Sequence, residues 1–292
     1  MVSESSRYLS PLRYPGGKGR LSRFVAALIT QQPTPAVRYV EPFAGGAGVA
    51  LSLLYQEYVD EVVLNDLDRG VAAFWRSVFD HTEEFIGLVR ACRPTVDQWH
   101  AQHERYTNKT GDDVELGFAT FFLNRTNRSG ILTARPIGGF DQSGQWGITA
   151  RYDAETLAQR IERIAGYRTR VTVCEQDGIA LAKLTVKDAC TFVYADPPYL
   201  DKADDLYLNT LTWKDHHLLA RHLNRADGWF LTYDVDRRVP NELYPDRRCA
   251  IFDLAHTAQT QHVGREYAVF ADSLSVKSLR GLGRNARFLR RR

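Results

Sequence analysis

Residues 37–66 read VRYVEPFAGGAGVALSLLYQEYVDEVVLND, and the alternation of elements within them marks the fold class. Val37 to Glu41 has the composition of a strand, Phe43 to Gly48 is a glycine-rich turn, and VALSLLYQEY (49–58) is a helix. A second strand, EVVLND (61–66), follows, and DRGVAAFWRSVF continues as a helix. Strand, glycine-rich turn, helix, strand, helix is the pattern of a parallel, doubly wound sheet.

Upstream, PLRYPGGKGRL carries Pro15, Gly16, Gly17 and Gly19 and reads as a loop. A helix from about Leu21 to Ile29 follows and is stopped by Pro33 and Pro35. Downstream the alternation breaks off. From about Asp80 to Tyr152 the pattern gives helices near 82–92, 96–106 and 113–126, then the Gly-rich, polar run ILTARPIGGFDQSGQWGIT. This is expected to be an inserted domain. The alternation then resumes with a helix at 154–166, the strand VTVCEQ, a short helix and the apolar strand CTFVYA, which ends at Asp196. A helix at 214–226 leads to the strand WFLTYD, and CAIFDL with EYAVFA form a final strand pair. The expected division is 1–79 and 153–275 as two parts of a catalytic domain, 80–152 as the insertion, and 276–292 as a basic tail. The tail shows no apolar periodicity and is expected to be mobile.

The chain has 292 residues, 44% hydrophobic and 25% charged, as an ordinary globular protein does. No run reaches the roughly 18 apolar residues of a membrane span, and the start MVSESSRYLS lacks a secretory signal's form. A cytoplasmic protein is expected. The net charge of +3 averages unlike parts: seven basic residues, Lys277, Arg280, Arg284, Arg287, Arg290, Arg291 and Arg292, lie after Ser273 with no acid among them. Setting these aside leaves 31 basic and 35 acidic residues, a net of −4. Cys92, Cys174, Cys190 and Cys249 form no CxxC pair and read as buried free thiols. No HExxH pattern occurs, and His216, His217 and His222 fall in a polar helix, so no metal is expected.

Two constellations carry chemistry. Glu41-Pro-Phe-Ala-Gly45-Gly46-Ala-Gly48 follows a strand, and Asp66 ends the next strand. Glycines at such a turn let a ligand approach the backbone, and the second carboxylate can accept from ribose hydroxyls, so a nucleoside cofactor is expected. The spacing is not the GxGxxG that seats a pyrophosphate. Asp196-Pro197-Pro198-Tyr199 follows a buried strand. Two prolines remove two donors and fix the backbone, leaving a carbonyl free beside the carboxylate. A carboxylate, a fixed carbonyl and an aromatic ring can hold a planar, amino-bearing ring at the carboxyl edge of the sheet.

In the order RYPGGK, VEPFAGGAG, LND, FFLNRTNRSGI and DPPY, the sequence resembles the Dam-type, D12 class DNA adenine-N6 methyltransferases. The resemblance covers nearly the whole body. It implies a Rossmann-like α/β fold with a mixed seven-stranded sheet, an antiparallel last hairpin and an inserted, mainly helical target-recognition domain. It also implies S-adenosylmethionine as methyl donor, no metal, double-stranded DNA as partner with room for a cognate restriction enzyme, and a monomer. Position by position, Tyr14, Lys18, Glu41, Phe43, Gly45, Gly46, Asp66, Asp177 and Asp196 resemble cofactor contacts. Asp196, Pro197, Pro198 and Tyr199 resemble the catalytic motif around a flipped-out adenine. From Thr120 to Arg170 eight arginines stand against four acids, and Arg125, Asn127, Arg128 and Arg135 are the candidate DNA contacts. The segment NRSGILTARPIGG departs from the hairpin of the GATC-methylating relatives, so GATC is not the expected target.

Cytosine-N4 methylation fits the same geometry, although such relatives more often carry Ser at position 196. An RNA adenine methyltransferase would more usually carry Asn there and lack the insertion. A catalytically silent DNA-binding regulator would need a damaged motif. A nicotinamide oxidoreductase is disfavoured by the glycine spacing.

Overall fold

The computed structural model describes residues 9–13, 18–34, 36–198, 211–257 and 261–289. Its strands are β1 (Arg38–Glu41), β2 (Glu61–Asn65), β3 (Val171–Cys174), β4 (Thr191–Ala195), β5 (Trp229–Asp234), β6 (Arg248–Thr257), β7 (Gln261–Phe270) and β8 (Arg284–Phe288). They form one sheet in the order β3-β2-β1-β4-β5-β7-β6-β8. The first five strands run parallel, while β7 is antiparallel to both β5 and β6. Val40 lies opposite Val63 on one side and Val193 on the other. Strand β4 (TFVYA) is buried throughout, as a central parallel strand covered on both faces must be.

The order reverses between β1 and β4, and the carboxyl ends of strands flanking such a switch point border the crevice where α/β sheets bind ligands. Around the sheet lie α1 (Ser22–Thr30), α2 (Gly48–Tyr55), α3 (Arg69–Asp80), α7 (Ala154–Ala165), α8 (Gly178–Thr185) and α9 (Trp213–Leu223). Asp68 caps α3 by accepting from the Gly70 and Val71 amides at 2.7 and 3.1 Å, and Thr212 with Asp215 makes a capping box for α9.

Residues 80–152 supply α4 (Thr82–Ala91), α5 (Val96–Asn108) and α6 (Asp113–Thr126). Helix α6 opens with a capping box of Asp112 and Glu115 and is buried nearly all round, as a helix apolar on every side must be. It packs between α3 and α5. One contiguous apolar core runs from the sheet into these helices. A polar tie reinforces the junction: the Tyr106 hydroxyl and the Lys109 ammonium, from the end of α5, both bond Asp68 at 2.9 Å.

Several expectations need correction. The sheet has eight strands, not seven. The eighth comes from the supposedly mobile tail, where Ala250 pairs with Phe288 and Ile251 with Arg287, and Leu282 just before it is fully buried. The segment RNARF is mostly exposed, so it carries no apolar alternation. It is held at the edge by its backbone, and its arginines blunt that edge against further pairing. Of the four thiols only Cys92 and Cys249 are buried; Cys190 is exposed and Cys174 half-buried. His216 lies on the inner face of α9, wholly buried, with Nδ1 2.6 Å from the Tyr233 hydroxyl. Burial pulls its pKa down to about 4. Among the described residues no helix is long and apolar enough to cross a membrane, and no group of three or more His, Cys, Asp or Glu could hold a metal.

Candidate active site

The turn after β1 is braced from several sides. Ala47, the residue before α2, has left-handed backbone angles and gives that helix no side-chain cap. Glu41 supplies one from a distance: its Oε1 accepts from the Ala50 amide and the Tyr39 hydroxyl, both at 3.0 Å. Burial pushes the Glu41 carboxyl up to about 8, with the charge of Asp196 adding to the effect and the two hydrogen bonds opposing it. Gly45 donates its amide to Asp66 Oδ2 at 3.0 Å and accepts from the Trp75 indole at 2.9 Å. The other oxygen of Asp66 accepts from the Asp68 amide at 2.9 Å. Burial raises the Asp66 carboxyl to about 6, with the charge of Asp68 adding and those amide bonds opposing. Asp66 stays half-buried at the carboxyl end of β2.

Asn65, fully buried, joins this turn to the one after β3. Its Nδ2 donates to the Pro42 and Gln176 carbonyls at 2.8 and 2.9 Å, and its Oδ1 accepts from the Gln176 amide at 3.1 Å. Beyond that turn, Asp177 Oδ1 caps α8 by accepting from Ile179 and Ala180 at 2.7 and 2.9 Å, and its side chain is exposed. Phe43, half-buried, packs on the backbone of Gly178. The carboxylates of Asp66 and Asp177 and the Phe43 ring thus stand at the ends of three adjacent strands.

The second half of the site is an ion cluster. Lys18 Nζ lies 3.0 Å from Asp196 Oδ2 and 3.3 Å from Glu266 Oε1, with Lys18 and Glu266 almost wholly buried and Asp196 partly exposed. Thr232 donates to Asp196 Oδ1 at 2.6 Å, and the Tyr194 hydroxyl meets Thr232 at 2.9 Å. Lys18 opens a short 3-10 helix, Lys18–Leu21, where the sequence reads as a loop. Its approach depends on paired glycines: a Cβ on Gly48 would sit 3.2 Å from the Gly19 Cα. That contact brings the 3-10 turn against the start of α2. Pro197 is buried and Pro198 half-buried behind Asp196. Tyr14 and Tyr199 lie outside the described residues.

Of the sequence-derived cofactor and catalytic positions, the fold gathers Glu41, Phe43, Gly45, Gly46, Asp66, Asp177, Lys18, Asp196, Pro197 and Pro198 at the carboxyl ends of β1 to β4. Asn65, Thr232 and Glu266 were not anticipated. Asn65 stands in the quoted LND block, directly before Asp66, but nothing in the spacing marks it as a clamp.

Two of the four DNA candidates need correction. Asn127 is fully buried. It accepts from the Trp99 indole at 2.5 Å and donates to the Ile131 and Leu132 carbonyls at 2.9 and 3.0 Å, so its amide is spent inside the protein. Arg125 donates to the Arg151 carbonyl at 2.8 and 2.5 Å and to the Pro11 carbonyl at 3.5 Å. Arg128 and Arg135 are exposed and held side by side by the bridge between Asn127 and Pro136.

A doubly wound sheet with a braced turn after β1, a carboxylate ending β2 and a carboxylate with two prolines ending β4 is the arrangement in which α/β enzymes bind ligands at a switch point. The profile of the D12 class N6 adenine-specific DNA methyltransferase family matches residues 14–247, and the chain belongs to that family. Among curated proteins, the Type II methyltransferase M.MjaIII of Methanocaldococcus jannaschii is 24% identical over 174 residues, which span 56% of this chain and 58% of that relative's length. Among solved structures, the rRNA methyltransferase aviRa of Streptomyces viridochromogenes aligns over 92% of this chain and 93% of its own, with 14% identity and a TM-score of 0.39.

Proposed function

We propose that this protein is a site-specific DNA methyltransferase that transfers a methyl group from S-adenosylmethionine to N6 of an adenine flipped out of duplex DNA. The observation that carries this reading is the position of Asp196 at the switch point, one strand from the Glu41–Gly48 turn, with its carboxylate oriented by Lys18 and Thr232.

The residues at the carboxyl edge suit the cofactor. Asp66 is half-buried and directed by two amides, as an acceptor for ribose hydroxyls needs to be. Phe43 offers a ring face beside the turn, and Asp177 offers its second carboxylate oxygen for an adenine amine. Bound there, S-adenosylmethionine supplies an electrophilic methyl group. The chain's own residues do the rest. Asp196 and the Pro197 carbonyl accept hydrogen bonds from the target amine, drawing its lone pair out of ring conjugation. Tyr199 stacks on the extruded base, which cannot be reached inside the helix. Lys18 and Thr232 hold the Asp196 carboxylate in one rotamer, so the amine meets a fixed acceptor. No covalent bond to the protein is required.

Recognition of the target sequence is assigned to residues 80–152, with Arg128 and Arg135 as its base or phosphate contacts. Arg125 and Asn127 act from inside by holding the chain that presents those two arginines. The test is methyl transfer from labelled S-adenosylmethionine to duplex DNA, followed by nucleoside analysis. Wild type is expected to yield N6-methyladenine, and Asp196→Ala is expected to yield none. An Asp196→Ala variant with near wild-type turnover would sink the assignment.

A further inference from the structure

Where α6 ends, four arginines gather without a carboxylate in contact. Arg125 turns Nε, Nη1 and Nη2 to the backbone carbonyls of Arg151 and Pro11, which leaves its charge without a carboxylate. Burial, followed by the charges of Arg13, Arg160 and Arg151, pulls its pKa down to about 9. Arg13 is lowered too, first by burial and then by Arg151. Among the described residues none of the four is in an ion pair. The acid that bears on the group is Asp153, through Arg160, and its Oδ1 already caps α7 at Thr156.

The cluster is built rather than scattered. The Arg13 backbone is clamped by Asn124, which accepts from its amide at 2.7 Å and donates to its carbonyl at 2.9 Å. Gly130, with φ of +76°, closes the clamp, since a Cβ there would collide with the Arg13 carbonyl. The Arg151 backbone is fixed by its carbonyl bonds to Arg125, and Arg160 stands half-buried on α7. Within this frame Arg13 Nη1 is a buried donor with no acceptor among the described residues, while the Arg13 and Arg160 side chains as a whole are half-buried and Arg151 is exposed. A buried guanidinium nitrogen left unmatched is destabilising, and so are like charges held together by the fold. An anion carrying several oxygens at the accessible side of the cluster offsets the mutual repulsion.

We propose that Arg13, Arg151 and Arg160, positioned by Arg125, form a seat for a backbone phosphate of duplex DNA. The proposal rests on the DNA-methyltransferase reading and adds an anchor that is separate from the exposed pair Arg128 and Arg135. A phosphodiester bound here fixes the register of the duplex but carries no sequence information. Because Arg13 immediately precedes Tyr14 in RYPGGK, the same clamp also ties the phosphate seat to the strand of chain that leads to Lys18.

The test is equilibrium binding of a fluorescent, non-cognate duplex across a range of KCl concentrations. It compares wild type with Arg13→Gln, Arg151→Ala, Arg160→Ala and the Arg151/Arg160 double variant. The neighbouring exposed Arg163, on α7 but outside the cluster, provides the control as Arg163→Ala. Each single cluster variant is expected to weaken binding, and the Arg151/Arg160 double variant, which empties the one-phosphate seat, to lower the slope of log affinity against log salt by about one, with the methylated sequence unchanged. Arg163→Ala should leave the slope at the wild-type value. A double variant that binds with the wild-type slope, or an Arg163→Ala protein that loses as much, overturns the phosphate seat while leaving the methyltransferase reading intact. A wild-type protein that binds no duplex overturns that reading itself.

Discussion

Lys18 and Asp196, 178 residues apart in the chain, meet at 3.0 Å, and Glu266 shares the same ammonium at 3.3 Å. One cation thus serves two carboxylates from β7 and the end of β4, and it joins the first cofactor motif to the catalytic one. Removing one partner of a buried ion cluster leaves uncompensated charge, at a cost of about 3–5 kcal/mol. Lys18→Met is therefore expected to lower the melting temperature clearly and to abolish methyl transfer. A melting curve superimposable on wild type would show that the cluster contributes nothing to the fold.

Thr232 tests orientation without removing a charge. Thr232→Val keeps the shape but deletes the 2.6 Å bond to Asp196. Turnover should fall by about tenfold or more, in keeping with the loss of one charge-assisted hydrogen bond, with S-adenosylmethionine affinity unchanged. Thr232→Ser should recover most of the rate. Single-turnover kinetics with a titration of the cofactor separate the two effects, and an equal loss of affinity would place Thr232 in cofactor binding instead.

The Asn65 clamp predicts the opposite split. Asn65→Ala leaves the Pro42 carbonyl and both backbone groups of Gln176 without these partners. The turns after β1 and β3 should then loosen, and calorimetry should show cofactor affinity weakened by about tenfold, roughly 1.4 kcal/mol. Affinity for duplex DNA should change little.

Glu41 makes stability depend on pH. Its carboxyl stands at about 8 in the fold against an ordinary value of 4.5. Between these values the folded chain holds a proton that the unfolded chain releases, so this group's contribution is fully present below about 4.5 and is lost as pH rises through 8. Thermal melts from pH 6 to 9 should therefore show wild type losing more stability than Glu41→Gln, which has no proton to release. Parallel curves would contradict the assignment.

Truncation after Ser275 tests the corrected tail. It removes buried Leu282 and uncovers the β6 edge that pairs with β8, so the shortened chain should melt earlier and aggregate more readily. Unchanged stability would mean that the eighth strand is dispensable.

The legible parts of the fold are those with strong local signals. β1, β2, β4 and β5 are short β-rich runs punctuated by glycine, proline or acid, and their limits lie within a residue or two of the expected ones. β6 and β7 run longer than CAIFDL and EYAVFA because the antiparallel ladder continues through polar residues such as His256 and His262. Strand β8 was invisible because RNARF has almost no buried face. The site divides in the same way. Asp66 and Asp196 stand in motifs whose spacing speaks directly. Thr232 and Glu266 sit inside WFLTYD and GREYAVF, which read as core strands, and only the strand order brings them to Asp196. Arg125 and Asn127 show the reverse failure: polar residues in a basic segment suggest a surface, and only tertiary packing turns them inward.

Whether Asp196 presents an adenine amine for methylation is decided by modified-base sequencing, with nucleoside mass analysis, of DNA from cells expressing wild type or Asp196→Ala. Wild type should give N6-methyladenine at one recurring motif, and the variant unmodified DNA. N4-methylcytosine, or adenine methylation that persists in Asp196→Ala, would contradict that role.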